Sequence, residues 1–352
     1  MMERARMARL AALTAAMLLA GPDGLTAQTR ADALTFKDKR VVVYIGVTPI
    51  TGVGYDTYGR IMAAHIGKYL PGRPTVIAQN MPGAGGMVLA NYLANVAPKD
   101  GTAIAAMNRG VPFDRLLYGK ASTAQFDATS FGWLGSMNNE VSGFYVTDKS
   151  PAQTLKEAME PREIPVGSAG AGNDQTTFAQ VLNGVLGTRL RIIDGYRGVS
   201  EILLAMERGE VSGIAGYSWS AARVSSAEAL RTGRLKLLAQ LALTRSPDLP
   251  NVPLITELVK TDADRSVLEL FFARQSMGRP FAAPPGVSPA VLAALREAFD
   301  QAMRDPDLIA ESKRIGMEIS HVGGTEIQSL LERIERFPEP VLERARRIVA
   351  AK

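Results

Sequence analysis

The chain contains no cysteine, which excludes disulfides, thiol catalysis and cysteine-ligated metals together. It also leaves no residue to carry a lipid at an export site. Histidine is nearly as scarce. The two present, His65 and His321, lie far apart and without clustered carboxylates, so neither a metal site nor a catalytic histidine is expected. No G-x-S-x-G nucleophile elbow appears. The formal net charge is only +5, and its carriers are scattered, with no basic block and no interleaved aromatics, so a nucleic-acid partner is not expected. Internal repeats and low-complexity tracts are absent too.

What remains is ordinary soluble composition: 352 residues, 46% hydrophobic and 21% charged, enough for two modest domains with their own cores. Arg4, Arg6 and Arg9 precede the apolar run from Leu10 to Ala20. That run is too short to span a bilayer and suits a secretory signal. Residues 1–27 are therefore expected to be removed, with cleavage after Ala27 or, alternatively, after Ala31, and the mature protein is expected in a bacterial periplasm.

The most informative stretch runs from Val41 to Tyr92. Val41 to Val47 is a β-branched apolar run of the kind buried on both faces of a parallel sheet. Thr48-Pro49-Ile50-Thr51-Gly52-Val53-Gly54 breaks it, and from Tyr55 apolar residues recur at helical spacing until Pro71-Gly72. A second strand, Pro74 to Ala78, empties into Gln79-Asn80-Met81-Pro82-Gly83-Ala84-Gly85-Gly86 and another helix start. Strand, glycine loop and helix N-terminus together cradle an anion, because the first N–H groups of a helix lack intrahelical partners and glycine lets a ligand approach them. Gly52-Val53-Gly54-Tyr55-Asp56-Thr57 comes within one residue of a dinucleotide fingerprint. Thr57 replaces the third glycine, however, and Gln79 stands where an acidic residue should hold the ribose.

The logic then repeats. Ile164 to Gly167 is a strand, Ser168-Ala169-Gly170-Ala171-Gly172-Asn173-Asp174 a glycine loop, and Thr177, Phe178, Val181, Leu182 and Val185 form an apolar helical face ended by Gly187. Further strands are predicted at 189–193, 211–216 and 235–239. Strands alternating with helices imply parallel sheets. Tyr196 and Trp219 fit either the core or a ligand contact. Phe281 to Pro289 reads as a return linker, Ser288 and Pro289 open a helix, and Thr325 opens the last helices. Their Glu and Arg residues (Glu332, Arg333, Glu335, Arg336, Glu343, Arg344) read as a solvated face.

Gly54-Tyr55-Asp56, Tyr58-Gly59-Arg60, the 79–86 loop, Ala97-Pro98-Lys99-Asp100-Gly101-Thr102, Gly195-Tyr196-Arg197-Gly198 and the Ala205–Val211 and Arg245–Pro253 segments together resemble the Bug family, the periplasmic substrate-binding proteins of tripartite tricarboxylate transporters. The resemblance implies two three-layer α/β domains with a ligand cleft between them, like type II periplasmic binding proteins. Residues 35–132 and 279–352 would form the first domain and 133–278 the second. It implies no enzyme activity, no cofactor and no metal. A small organic acid or related amide would be held by Thr48, Pro49, Ile50, Thr51, Gly52, Val53, Gly54 and Asp56, and by Ser168, Ala169, Gly170, Ala171, Gly172, Asn173 and Asp174. The expected state is a monomer, and the expected partners are the membrane components of such a transporter, or a sensor. Ile50 and Val53 depart from the family's run of glycines, and Asp174 adds a negative charge that could favour an ammonium or amide group. The alternative function is an enzyme taking a nucleotide or phosphorylated substrate through the same loops.

Overall fold

The computed structural model describes residues 34–49, 54–170 and 172–351. The expected signal segment and the loop residues Ile50, Thr51, Gly52, Val53 and Ala171 lie outside them. In chain order the first part runs β1 (Arg40–Ile45), α1 (Tyr55–Ile66), β2 (Thr75–Asn80), α2 (Met87–Asn95), β3 (Ala103–Ala106), α3 (Asp114–Tyr118) and β4 (Gly132–Ser136). The middle comprises β5 (Ser142–Thr147), α4 (Leu155–Ala158), β6 (Glu163–Gly167), α5 (Asp174–Val181), β7 (Arg189–Ile193), α6 (Val199–Arg208), β8 (Gly213–Ser218), α7 (Trp219–Ser225), α8 (Ala227–Arg231), β9 (Leu235–Leu241) and α9 (Asp262–Phe272). The chain ends with β10 (Pro280–Ala283), α10 (Pro289–Ala302), α11 (Pro306–Arg314), β11 (Val322–Gly323), α12 (Gly324–Glu335) and α13 (Glu339–Ala350).

Two sheets organise two lobes, in the orders β11-β4-β10-β3-β1-β2 and β7-β6-β8-β5-β9. β1 pairs in parallel with β2 and β3, and β6 with β7 and β8. The sheets are nevertheless mixed, which corrects the parallel expectation. β10 runs antiparallel to β3 and β4, and β5 antiparallel to β8 and β9. A parallel neighbour needs a long crossover, usually a helix, whereas β5 and β10 each begin where the chain has just crossed from the other lobe.

β4 pairs entirely within the first sheet, and Trp133 is fully buried there. The crossing therefore falls between Ser136 and Ser142, a few residues beyond the Gly132 boundary read from sequence. The chain returns through Gly278 and Arg279 into β10.

Val41, Val43 and Ile45 of β1 pack against Tyr58, Ile61 and Met62 of α1 and Phe299 of α10, while Val42 and Tyr44 stay half-buried. Only one face of this strand is thus fully sealed, while on the other Tyr44 packs edge-on against Tyr92 of α2, with ring centroids 5.2 Å apart. A second apolar cluster is continuous across the lobes, joining Phe113, Leu117 and Trp133 to Phe178, Phe272 and Ile348. The final helix does not simply rejoin the first lobe: α13 packs on α9 and α5 of the second lobe as well as α3 of the first.

Candidate functional site

Three helices, α1, α2 and α5, begin at residues that supply no side-chain cap: Gly54, Gly86 and Asn173. None of these three residues therefore takes a first-turn N–H with its own side chain, as a capping residue would. Gly54 has φ −173° and ψ −172°, extended backbone open to any residue, so its value lies in the absent side chain. Thr48 and Pro49 at the other end of this loop are exposed.

Asp56, predicted at the ligand, turns into the scaffold instead. It is buried, and its carboxylate accepts from Arg60 Nε at 2.9 Å, Arg60 Nη2 at 3.0 Å and Asn80 Nδ2 at 2.7 Å. Asn80 Nδ2 also donates to the Val47 carbonyl at 2.9 Å. This knot fastens the first loop to the end of β2.

The loop after β2 belongs to the same site. Gly83, Ala84, Gly85 and Gly86 all have positive φ, at 138°, 45°, 65° and 100°, so a stretch of backbone that side chains rarely tolerate leads directly into α2. A Cβ at Gly85 would stand 3.8 Å from Asn173 Nδ2, which places this first-lobe loop opposite the second-lobe loop.

In the second loop Ser168 is buried and accepts from the Gly170 N–H at 3.0 Å. Its hydroxyl bonds that of Thr176, which donates to the Gly170 carbonyl at 2.7 Å. Asn173 Nδ2 donates to the Ala169 carbonyl at 3.2 Å. The loop is thus shaped by its own side chains, while Gly170 and Gly172 have nothing within 4 Å of where a Cβ would be.

Asp174 opens α5 but offers no free negative charge. Arg109, from the loop after β3, reaches its Oδ2 with Nη2 at 2.6 Å and Nε at 2.8 Å. Arg274 approaches Oδ1 at 3.3 Å. Burial alone would push this carboxyl up, yet the fields of Arg109 and Arg274 outweigh it and hold it below the ordinary carboxylate range. The expectation that Asp174 could recruit an ammonium group is corrected: its charge is already matched twice. At the crossing, Arg279 pairs with Glu140 at 3.2 Å, both buried, and lies over the Tyr55 ring at 4.6 Å. Three buried guanidinium groups therefore face two buried carboxylates, and Arg109 Nη1, Arg274 Nε and Arg279 Nε have no hydrogen-bond partner among the described residues.

The residues missed by sequence reasoning are Arg109, Arg274 and Arg279. Each sits in a segment without a motif, and they meet only in the fold. Tyr196 and Trp219 are half-buried beside the second-lobe core, with Trp219 Nε1 3.3 Å from Asp248. Among the described residues, no group of three or more His, Asp or Glu side chains could hold a metal, and no helix is long and apolar enough to cross a membrane.

Comparison with known proteins agrees with this architecture. MatC from Rhodopseudomonas palustris, solved with bound malate, superposes with a TM-score of 0.65 at 20% identity, covering 88% of this chain and 99% of that one. The periplasmic binding protein BugD gives a TM-score of 0.67 at 20% identity over 88% of this chain and 98% of that one. In sequence, a UPF0065 protein from the gbd 5′ region of Cupriavidus necator is 29% identical over 318 residues, 88% of this chain and 87% of that protein. The profile described as tripartite tricarboxylate transporter family receptor matches residues 59–343. That match spans most of the chain, which therefore belongs to the tripartite tricarboxylate transporter receptor family.

Proposed function

We propose that this protein is a periplasmic receptor that captures a small carboxylate between its lobes and delivers it to the membrane components of a tripartite transporter. The observation that carries this reading is the opposition of two glycine loops, 83–86 and 168–174, across the lobe boundary. Helices without side-chain caps begin on both sides, and the buried charge beside them has a positive surplus. Helix N-termini and guanidinium groups both favour an anion, and hydrogen bonds to a charged group contribute about 1.5–3 kcal/mol each. The malate in MatC supports the same ligand class, and the arginine-then-apolar start of the chain supports export.

This is a receptor and not an enzyme. Asp174, Glu140 and the three arginines are locked in mutual ion pairs, an arrangement suited to electrostatic capture and unsuited to proton transfer. Native mass spectrometry of gently purified protein, followed by a thermal-shift screen of organic acids, tests the proposal. A co-purified organic acid, or a carboxylate that raises the melting temperature, is expected. A co-purified nucleotide, with no shift from any acid, would overturn it.

A further inference from the structure

We infer that Arg109 is the positioning residue that holds the starts of α1 and α5, beside the ligand-facing loops, in register across the lobe boundary, and so sets how long a ligand stays bound. The inference rests on the capture site proposed above, although Arg109 itself need not touch the ligand.

Its main chain belongs to the first lobe, where its N–H donates to the Tyr55 hydroxyl at 3.2 Å. Tyr55 is the first residue of α1, next to Gly54 of the first loop. Its side chain belongs to the second lobe. Nε and Nη2 grip Asp174 at the start of α5, and Nη2 donates to Ser142 Oγ at 2.9 Å and approaches Ser218 Oγ at 3.5 Å. Ser142 opens β5 and Ser218 closes β8, so one guanidinium ties a helix start and two strand ends. Only 1% of Arg109 is exposed.

The bonding is asymmetric. If the lobes part, Asp174 keeps Arg274, its second-lobe partner, whereas Arg109 loses Asp174, Ser142 and Ser218 together. Arg109 thus has all three of these partners only while the lobes are apposed. Gly110 supports the same reading independently. A Cβ there would stand 3.1 Å from the Gly172 carbonyl and 3.0 Å from Arg274 Nη1, so the two segments meet at a spacing that any side chain at Gly110 would crowd.

A ligand held by both loops binds tightly only while the loops are apposed, and its apparent affinity scales with the population of that state. Arg109→Met keeps the apolar stem but removes the fork, and Gly110→Val wedges the loops apart with every charge in place. Asp174→Asn separates registration from charge. If Arg109 acts only through its charge, Asp174→Asn leaves more positive charge and strengthens anion binding. If it acts as the register, the substitution weakens binding. Arg109→Lys, which keeps the charge without the fork, should recover only part of the loss.

The test measures malate and a panel of small carboxylates by stopped flow, with small-angle scattering of each ligand-free variant and melting curves to confirm folding. The expected result is at least tenfold faster dissociation in Arg109→Met, Gly110→Val and Asp174→Asn, association within about threefold of the parent, and a larger ligand-free radius of gyration. Unchanged dissociation, or tighter binding by Asp174→Asn, overturns the inference while leaving the capture site standing. If the parent binds none of the carboxylates, the capture site fails instead. The ligand-free radius then decides alone, and an unchanged radius in folded Arg109→Met and Gly110→Val rules out the register.

Discussion

Gly54 shows what one residue contributes by having no side chain. Its backbone is extended, so Gly54→Asp is free of strain there, and aspartate is a favoured helix cap. The new carboxylate would take N–H groups of the first turn of α1 and repel an incoming anion. Affinity for the ligand should fall at least about tenfold, the loss of one charge-assisted hydrogen bond, with an unchanged or slightly raised melting temperature. Calorimetric titration beside a melting curve checks both, and undiminished binding would remove the first loop from the site. At this scale the sequence was half legible. A glycine ahead of a helix is a local signal. The bond of Asp56 to Asn80 and the ion pairs of Asp174 were not legible because those partners are not local. Asn80 lies 24 positions from Asp56, and Arg109 and Arg274 lie 65 and 100 positions from Asp174. No spacing rule reports a pairing that only the fold creates.

Among the elements, α1 and α11 are clamped by polar groups at the C-terminal end of α1. Asp305 caps α11 by accepting the Asp307 N–H at 2.8 Å. It also meets Lys68 Nζ at 2.9 Å and His65 Nδ1 at 3.2 Å, while His65 Nε2 reaches Glu311 at 2.9 Å and Lys68 reaches Asp307 at 2.8 Å. Burial pushes the Asp305 carboxyl up, yet Lys68, the Asp307 N–H and His65 outweigh it and hold it at about 2 against an ordinary 3.8. The folded value lies below the unfolded one, so the contribution is complete above about pH 4 and is lost as pH falls through about 2. The melting temperature should therefore drop over that interval. Asp305→Asn should melt below the parent at neutral pH, with the two curves converging toward pH 2, and parallel curves down to pH 2 would contradict the clamp. Elements were more legible than residues. Ser288 caps α10 by accepting the Val291 N–H at 3.3 Å, and Gly187 stops the helical stretch after α5 at φ 72°. The directions of β5 and β10 were not legible, since they follow from the path between lobes. Nor was the role of α13, whose face reads as solvated although Arg344 pairs with Asp264 and Arg346 Nε bonds the Leu116 carbonyl at 3.0 Å.

At the scale of the whole molecule, the repeated unit of strand, glycine loop and helix already announces two lobes, because each unit must bury its own sheet. Periodicity does not show how the lobes communicate. An apolar cluster runs through both, α13 lies across them, and Arg109 crosses the boundary to Asp174. The opposition of the two glycine loops at that boundary is the feature on which the account rests, and the helix starts and buried guanidinium groups beside it make the ligand's charge the decisive variable. The most direct measurement is a calorimetric titration of the purified protein with a bound carboxylate and with its uncharged amide of the same shape. The account predicts one carboxylate per chain, bound at least about tenfold more tightly than the amide. An amide or an amine that binds as tightly as the carboxylate would contradict it.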